Sequence, residues 1–230
     1  MSIQENIAQV RARIAEAARA AGRKPEEITL VGASKMNDAA ACREAIAAGI
    51  DALGENRVQE MVQKLREHAY DGAPLHFIGH LQRNKVKQVV GKVALIQSVG
   101  SIELLDEIEK VAAARELVQD ILLEVNIGEE AAKSGFAPDA VFAAAETAGT
   151  YAHVRVRGVM TIPPADADRD ANMRYFDKVR ALYVDINTKL FHNELKYLSM
   201  GMSGDYEDAI RAGATMVRVG TAIFGARHYN

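Results

Sequence analysis

Apolar residues along the chain fall into two alternating rhythms. Residues 1–22 put Ile3, Ile7, Val10 and Ile14 on one helical face, and Ser2 and Glu5 stand at capping-box spacing, so this segment predicts an amphipathic helix. Eight short β-favouring runs follow: 28–34 (ITLVGAS), 50–55 (IDALGE), 75–79 (LHFIG), 94–99 (ALIQSV), 120–126 (DILLEVN), 154–162 (VRVRGVMTI), 195–202 (LKYLSMGM) and 216–225 (MVRVGTAIFG). Helical patterns lie between them, as at 38–49, 101–117, 168–190 and 205–213, several opening on Ser or Asp and some closing on Gly. Strict strand–helix alternation implies parallel strands joined by right-handed crossovers. The chain is close to the roughly 250 residues typical of a closed barrel. The prediction is therefore a (β/α)8 TIM barrel with one additional N-terminal helix, an open doubly wound sheet being the alternative. No Pro- or Gly-rich linker interrupts the pattern, and TIPPADADRD at 161–170 reads as one long βα loop, so residues 1–230 are expected to form a single domain.

Charge narrows the partners. With 28 basic and 31 acidic residues the formal charge is −3, which gives no overall basic field for nucleic acid or anionic membrane. The basic stretch at 83–92 (RNKVKQVVGK) reads as solvated helix charge, because no interleaved aromatics offer stacking and tryptophan is absent. The N-terminal segment is broken by charges, and no run approaches the roughly 18 apolar residues of a spanning helix. A lone cysteine, Cys42, allows no intrachain disulfide and fits a reduced compartment. The expectation is a cytoplasmic monomer with a small-molecule ligand. His76 and His80 are four apart, but they fall on a strand and its exit without a third ligand, so no metal site is expected. Phosphate-loop and dinucleotide-binding glycine patterns are also missing.

The chemistry concentrates at strand ends. Lys35 follows the first strand, where barrel active sites lie, and alternation puts Val31, Ala33 and Lys35 on one face. One account is a surface lysine with its head in water. The other is an inward amine, kept neutral by burial, that attacks a carbonyl. In the last run Arg218 sits between Val217 and Val219, where a guanidinium needs a partner, either a carboxylate such as Glu124 or a ligand. In a closed barrel it shares the cavity with Lys35. Glycine-rich turns end the seventh and eighth runs, so amides of Gly201, Gly204, Gly220 and Thr221, with the hydroxyls of Ser199 and Thr221, can converge on an anion. An amine, a guanidinium and an anion cradle match the aldehyde, ring nitrogen and phosphate of pyridoxal 5′-phosphate.

These residues resemble the pyridoxal phosphate homeostasis proteins, single-domain relatives of the alanine racemase barrel. The likeness covers nearly the whole chain: Ser34-Lys35, GENRVQE at 54–60, FIGHLQRNK at 77–85, VNIGEEAAKSGF at 125–136, LSMGMSGDYEDAI at 198–210 and VRVGTAIFGAR at 217–227. The resemblance implies a Schiff base at Lys35, Arg218 against the pyridine nitrogen, phosphate contacts around Ser199, Met200, Gly220 and Thr221, a cofactor-proximal Asn56, and His80 lining the pocket. Met36-Asn37-Asp38 departs from a more basic or proline-containing turn common in the family, and Gly204 stands where an acidic residue often precedes the short helix.

Arginine beside the ring nitrogen does not readily protonate it, which weakens the ring as an electron sink. Related racemases are implied to add a tyrosine from a second domain, for which no sequence follows Asn230, and Tyr229 is a conceivable substitute. The expected function is therefore a protein that holds and releases pyridoxal phosphate for vitamin B6 and amino-acid homeostasis, with pyridoxal-phosphate-dependent enzymes as possible acceptors. The alternative is a weak racemase or lyase.

Overall fold

A computed structural model describes residues 2–225, in which one strand falls on each of the eight β-favouring runs, the fifth strand starting one residue before its run. The strands are β1 (Thr29–Ala33), β2 (Ala52–Glu55), β3 (Leu75–Phe77), β4 (Leu95–Val99), β5 (Gln119–Val125), β6 (Val154–Thr161), β7 (Tyr197–Ser199) and β8 (Met216–Val219). They pair in sequence order and in parallel, and β8 returns to β1 with Arg218 opposite Val31, so the sheet is a closed barrel and the open alternative is excluded. The helices are α1 (Ile3–Ala20), α2 (Ala39–Ala47), α3 (Val58–Arg66), α4 (Val86–Val89), α5 (Ile102–Ala113), α6 (Val141–Gly149), α7 (Arg169–Leu190), α8 (Tyr206–Arg211) and α9 (Thr221–Phe224).

Local chemistry sets the helix starts. Ser2 and Glu5 form the expected capping box on α1, the carboxylate accepting the Ser2 amide at 2.8 Å and the hydroxyl accepting the Glu5 amide at 3.2 Å. Asp38, Ser101 and Asp168 cap α2, α5 and α7 through their side chains. Asp205 behaves differently. It precedes α8 without capping it; Oδ1 accepts the Met202 amide at 2.6 Å and Oδ2 accepts Asn172 Nδ2 at 2.8 Å, which ties the turn after β7 to α7. The additional helix α1 packs on α8, α9 and α2 through Ile7, Val10, Ile14, Ala17 and Ala18, and Asn6 donates to the Ile223 carbonyl at 2.8 Å.

Two apolar regions result. The larger lies between strands and helices and includes Leu30, Leu53, Phe77, Ile96, Leu123, Phe176 and Val217. The smaller plugs the barrel with Val31, Ala52, Leu95, Leu122, Met160 and Met216. Two residues further along each of those strands the inward positions become Ala33, Gly54, Gln97, Glu124, Ile162 and Arg218. The barrel is thus apolar below, and the polar groups Gln97, Glu124 and Arg218 enter above, at the C-terminal end where such folds place their sites.

Candidate functional site

Another step of two residues reaches Lys35 and Asn56, just beyond β1 and β2. Lys35, half-buried in the turn after β1, lines a cavity of about 650 Å³, within the range of small-molecule sites. The walls include Ala33, Asn56, Ile78, His80, Glu124 and Arg218, closed on one side by Asn126, Lys133 and Ser134. The cavity therefore brings together Lys35 and Arg218, read from the strand pattern, and Asn56 and His80, implied by the family resemblance. Asn56 is kept close by Gly79, since any Cβ at position 79 would meet the Asn56 carbonyl oxygen at 2.3 Å. Its Oδ1 is buried without a hydrogen-bond partner.

Arg218 is buried, 4% exposed, and its hydrogen bonds go to neutral groups: Nη1 donates to Ser199 Oγ at 2.6 Å and Nη2 to the Thr161 carbonyl at 2.9 Å. Ser199 in turn donates to Gln97 Oε1 at 2.7 Å, and Gln97 Nε2 faces His76 Nδ1 at 3.0 Å. Burial pulls His76 down to about 4, so the ring is neutral and Nδ1 accepts. Burial also draws the guanidinium of Arg218 down to about 10, opposed by the fields of Asp205 and Glu124; it stays charged at neutral pH. Glu124 thus acts on Arg218 through space, while its own Oε2 accepts Ser134 Oγ at 3.0 Å. Burial pushes the Glu124 carboxyl up, against the opposing effects of Ser134, Arg218 and His80.

The four residues expected at the anion end lie around β7 and β8, outside the cavity wall proper. Ser199 and Met200 are fully buried, with the Ser199 hydroxyl occupied by Gln97 and Arg218 and the Met200 amide donating to the Met216 carbonyl at 3.1 Å. Gly220 lies against Ala33, and its amide donates to Ser203 Oγ at 3.1 Å; the Ala222 amide reaches the same oxygen at 3.4 Å. Thr221 is exposed at the start of α9. Gly204 has open space where a side chain would stand. Tyr229 and Arg227 lie outside the described residues. Among the described residues no group of three or more metal-ligating side chains occurs, and no helix is long and apolar enough to cross a membrane.

Sequence reasoning did not assign Asn126, Lys133, Ser134 and Met202 to the cavity. The first three belong to a loop pinned by paired hydrogen bonds, Phe136 N to Glu124 O at 2.8 Å and Asn126 N to Phe136 O at 2.9 Å. Their quoted motif carried the only signal. Also unread was a buried cluster behind Lys35. There Lys64, 5% exposed, donates to the Ser34 carbonyl at 2.9 Å, Glu55 Oε1 at 2.6 Å and Glu60 Oε1 at 2.7 Å.

Comparison with known proteins gives this architecture a class. The family of the alanine racemase N-terminal domain matches residues 2–228. A pyridoxal phosphate homeostasis protein of Pseudomonas aeruginosa is 43% identical over 228 residues, covering 99% of this chain and 97% of its own. One from Aquifex aeolicus is 42% identical over 229 residues, covering 100% of both. Among solved structures, PipY of Synechococcus elongatus with PLP bound superposes with a TM-score of 0.85 at 31% identity, covering 97% of this chain and 100% of that one. The chain belongs to the pyridoxal phosphate homeostasis protein family.

Proposed function

We infer that this protein binds pyridoxal 5′-phosphate at the C-terminal mouth of the barrel and holds and releases it through Lys35, contributing to vitamin B6 and amino-acid homeostasis. One observation carries the reading: the Lys35 amine, the Asn56 amide and the buried Arg218 guanidinium converge on one cavity in a member of this family. The residues fit the cofactor. The unpartnered Asn56 Oδ1 accepts a donor, and the Arg218 charge has only neutral hydrogen-bond partners. When bound, pyridoxal 5′-phosphate supplies an aldehyde that condenses reversibly with a neutral amine, losing one water, together with a ring nitrogen and a phosphate to be gripped. In this assignment Lys35 is the Schiff-base residue and Arg218 faces the ring nitrogen. Asn56 and His80 line the pocket, and Gly220 and Thr221, backed by the buried Ser199 and Met200, would hold the phosphate. The protein acts as a single domain over 1–230, a cytoplasmic monomer whose partners are the cofactor and the pyridoxal-phosphate-dependent enzymes that accept it.

Glu124 supports a second reading, a weak racemase or lyase. It stands on β5, across the barrel from β1, with a carboxyl that burial pushes towards its protonated form. Sustained α-proton exchange of L-alanine above the level of free cofactor, lost in Lys35→Ala, selects that reading. The primary test is spectroscopic. Loaded protein is expected to show a band at about 420 nm and a borohydride-reducible lysine adduct, and Lys35→Ala to lose both. A reducible adduct persisting in Lys35→Ala overturns the assignment.

A further inference from the structure

We propose that Glu60 and Lys64 of α3 form a clamp that grips the backbone on both sides of Lys35 and so sets where its amine enters the cavity. The inference rests on the covalent role of Lys35 argued above and concerns how that lysine is aimed. Both are positioning residues and neither lines the cavity.

Each jaw is a hydrogen bond to a residue adjoining Lys35. On the N-terminal side Lys64 Nζ donates to the Ser34 carbonyl at 2.9 Å. On the C-terminal side Glu60 Oε1 accepts the Met36 amide at 2.5 Å. The jaws are joined, since Glu60 and Lys64 are one helical turn apart on α3 and pair at 2.7 Å. The hinge is anchored to the barrel: Glu55, at the end of β2, accepts from Lys64 Nζ and from Ser34 Oγ, each at 2.6 Å. Lys64 thus has three acceptors for its three ammonium protons, from the ends of β1 and β2 and from α3.

The local backbone needs such a device. Met36 has φ +63, a left-handed conformation uncommon for a residue with a side chain, and that side chain is 47% exposed, so apolar burial does not hold it there. The Glu60 carboxylate on its amide and the Asn37 amide on the Ser34 carbonyl, at 3.1 Å, close the turn instead. Burial works against the Lys64 ammonium, and the Glu55 and Glu60 carboxylates outweigh it, so Lys64 keeps its charge at neutral pH. Reaction between positioned groups is sensitive to displacement of about 1 Å, which can cost roughly a hundredfold in rate. A loosened turn therefore affects bond formation at Lys35 before it affects grip on the ring and phosphate.

The test separates those two quantities in the full chain. The rate of covalent capture of pyridoxal 5′-phosphate is read by borohydride trapping. Grip without the covalent bond is read as the affinity for pyridoxine 5′-phosphate, which carries an alcohol in place of the aldehyde. In Glu60→Ala we expect capture to slow about tenfold with analogue affinity unchanged within about twofold, and Glu60→Gln, which keeps an oxygen for the Met36 amide, to recover most of the rate. Capture at the wild-type rate in Glu60→Ala, or a parallel loss of capture and analogue affinity, overturns the clamp. Should Glu60→Ala not fold, Glu60→Leu, which also removes the acceptor for the Met36 amide and leaves the Lys64–Glu55 pair intact, is judged by the same two outcomes. Lys35→Ala distinguishes the failures: an adduct persisting there overturns the role of Lys35 and the clamp with it. An adduct lost there, with Glu60→Ala unaltered, overturns the clamp alone.

Discussion

Two buried cations stand within a few residues of the site, and they are treated in opposite ways. Lys64, outside the barrel wall under α3, is surrounded by the Ser34 carbonyl and two carboxylates, so its charge is matched and its donors are occupied. Arg218, inside the barrel, binds a hydroxyl and a carbonyl, with the carboxylates of Glu124 and Asp205 acting only through space. The difference separates scaffold from site. A cation closed off by anions braces the fold, whereas one held in place by neutral dipoles keeps its field directed at whatever enters the cavity.

The contrast breaks most visibly by deletion. Lys64→Ala leaves Glu55 buried beside a vanished partner, and urea unfolding is expected to show a loss of about 3–5 kcal/mol. Arg218→Ala should lower stability less, by about 1–3 kcal/mol, yet weaken pyridoxal 5′-phosphate at least tenfold, or about 1.4 kcal/mol. The same stability loss in both variants would refute the distinction. The neutral chain behind Arg218 also has a pH signature. The folded-state pKa of His76 is about 4, below its ordinary 6.5, so the unfolded chain binds the proton more tightly. Stability is then full above about pH 6.5 and lost as pH falls toward about 4, by about 3 kcal/mol, and His76→Gln flattens that part of a denaturant-midpoint profile. A remote control gives the smallest effect. Asp168→Ala removes the cap of α7, where Oδ1 accepts the Ala171 amide at 2.7 Å, and should cost about 1 kcal/mol without moving ligand affinity.

The sequence was informative where local pattern and function coincide. Parallel strands buried on both faces read as apolar runs; alternation along the first run reached Lys35 past its end, closure of the barrel set Arg218 of the last run beside it, and Asn56 came from the family resemblance. The helix α3 was not singled out. Its inner face is Val58, Met61 and Lys64, and a buried lysine interrupts the apolar repeat. The helix α6 lacks a side-chain cap, and α4 has only four residues. The polar clusters were hidden for a different reason: Ser34 meets Glu55 and Lys64 across 21 and 30 positions, and Ser199 meets Gln97 across 102, distances at which no periodicity speaks. At the ends of β7 and β8 the sequence did not show that the Ser199 hydroxyl turns into the barrel while the Gly220 amide meets Ser203.

That Ser203 contact bears on traffic through the site. Its oxygen already accepts the Gly220 and Ala222 amides, so under the proposed assignment an arriving oxyanion would trade places with a hydroxyl, and a departing one would not strand bare donors. Swapping one acceptor for another would lower the net gain on entry and the penalty on exit together, a balance suited to the holding and release proposed above.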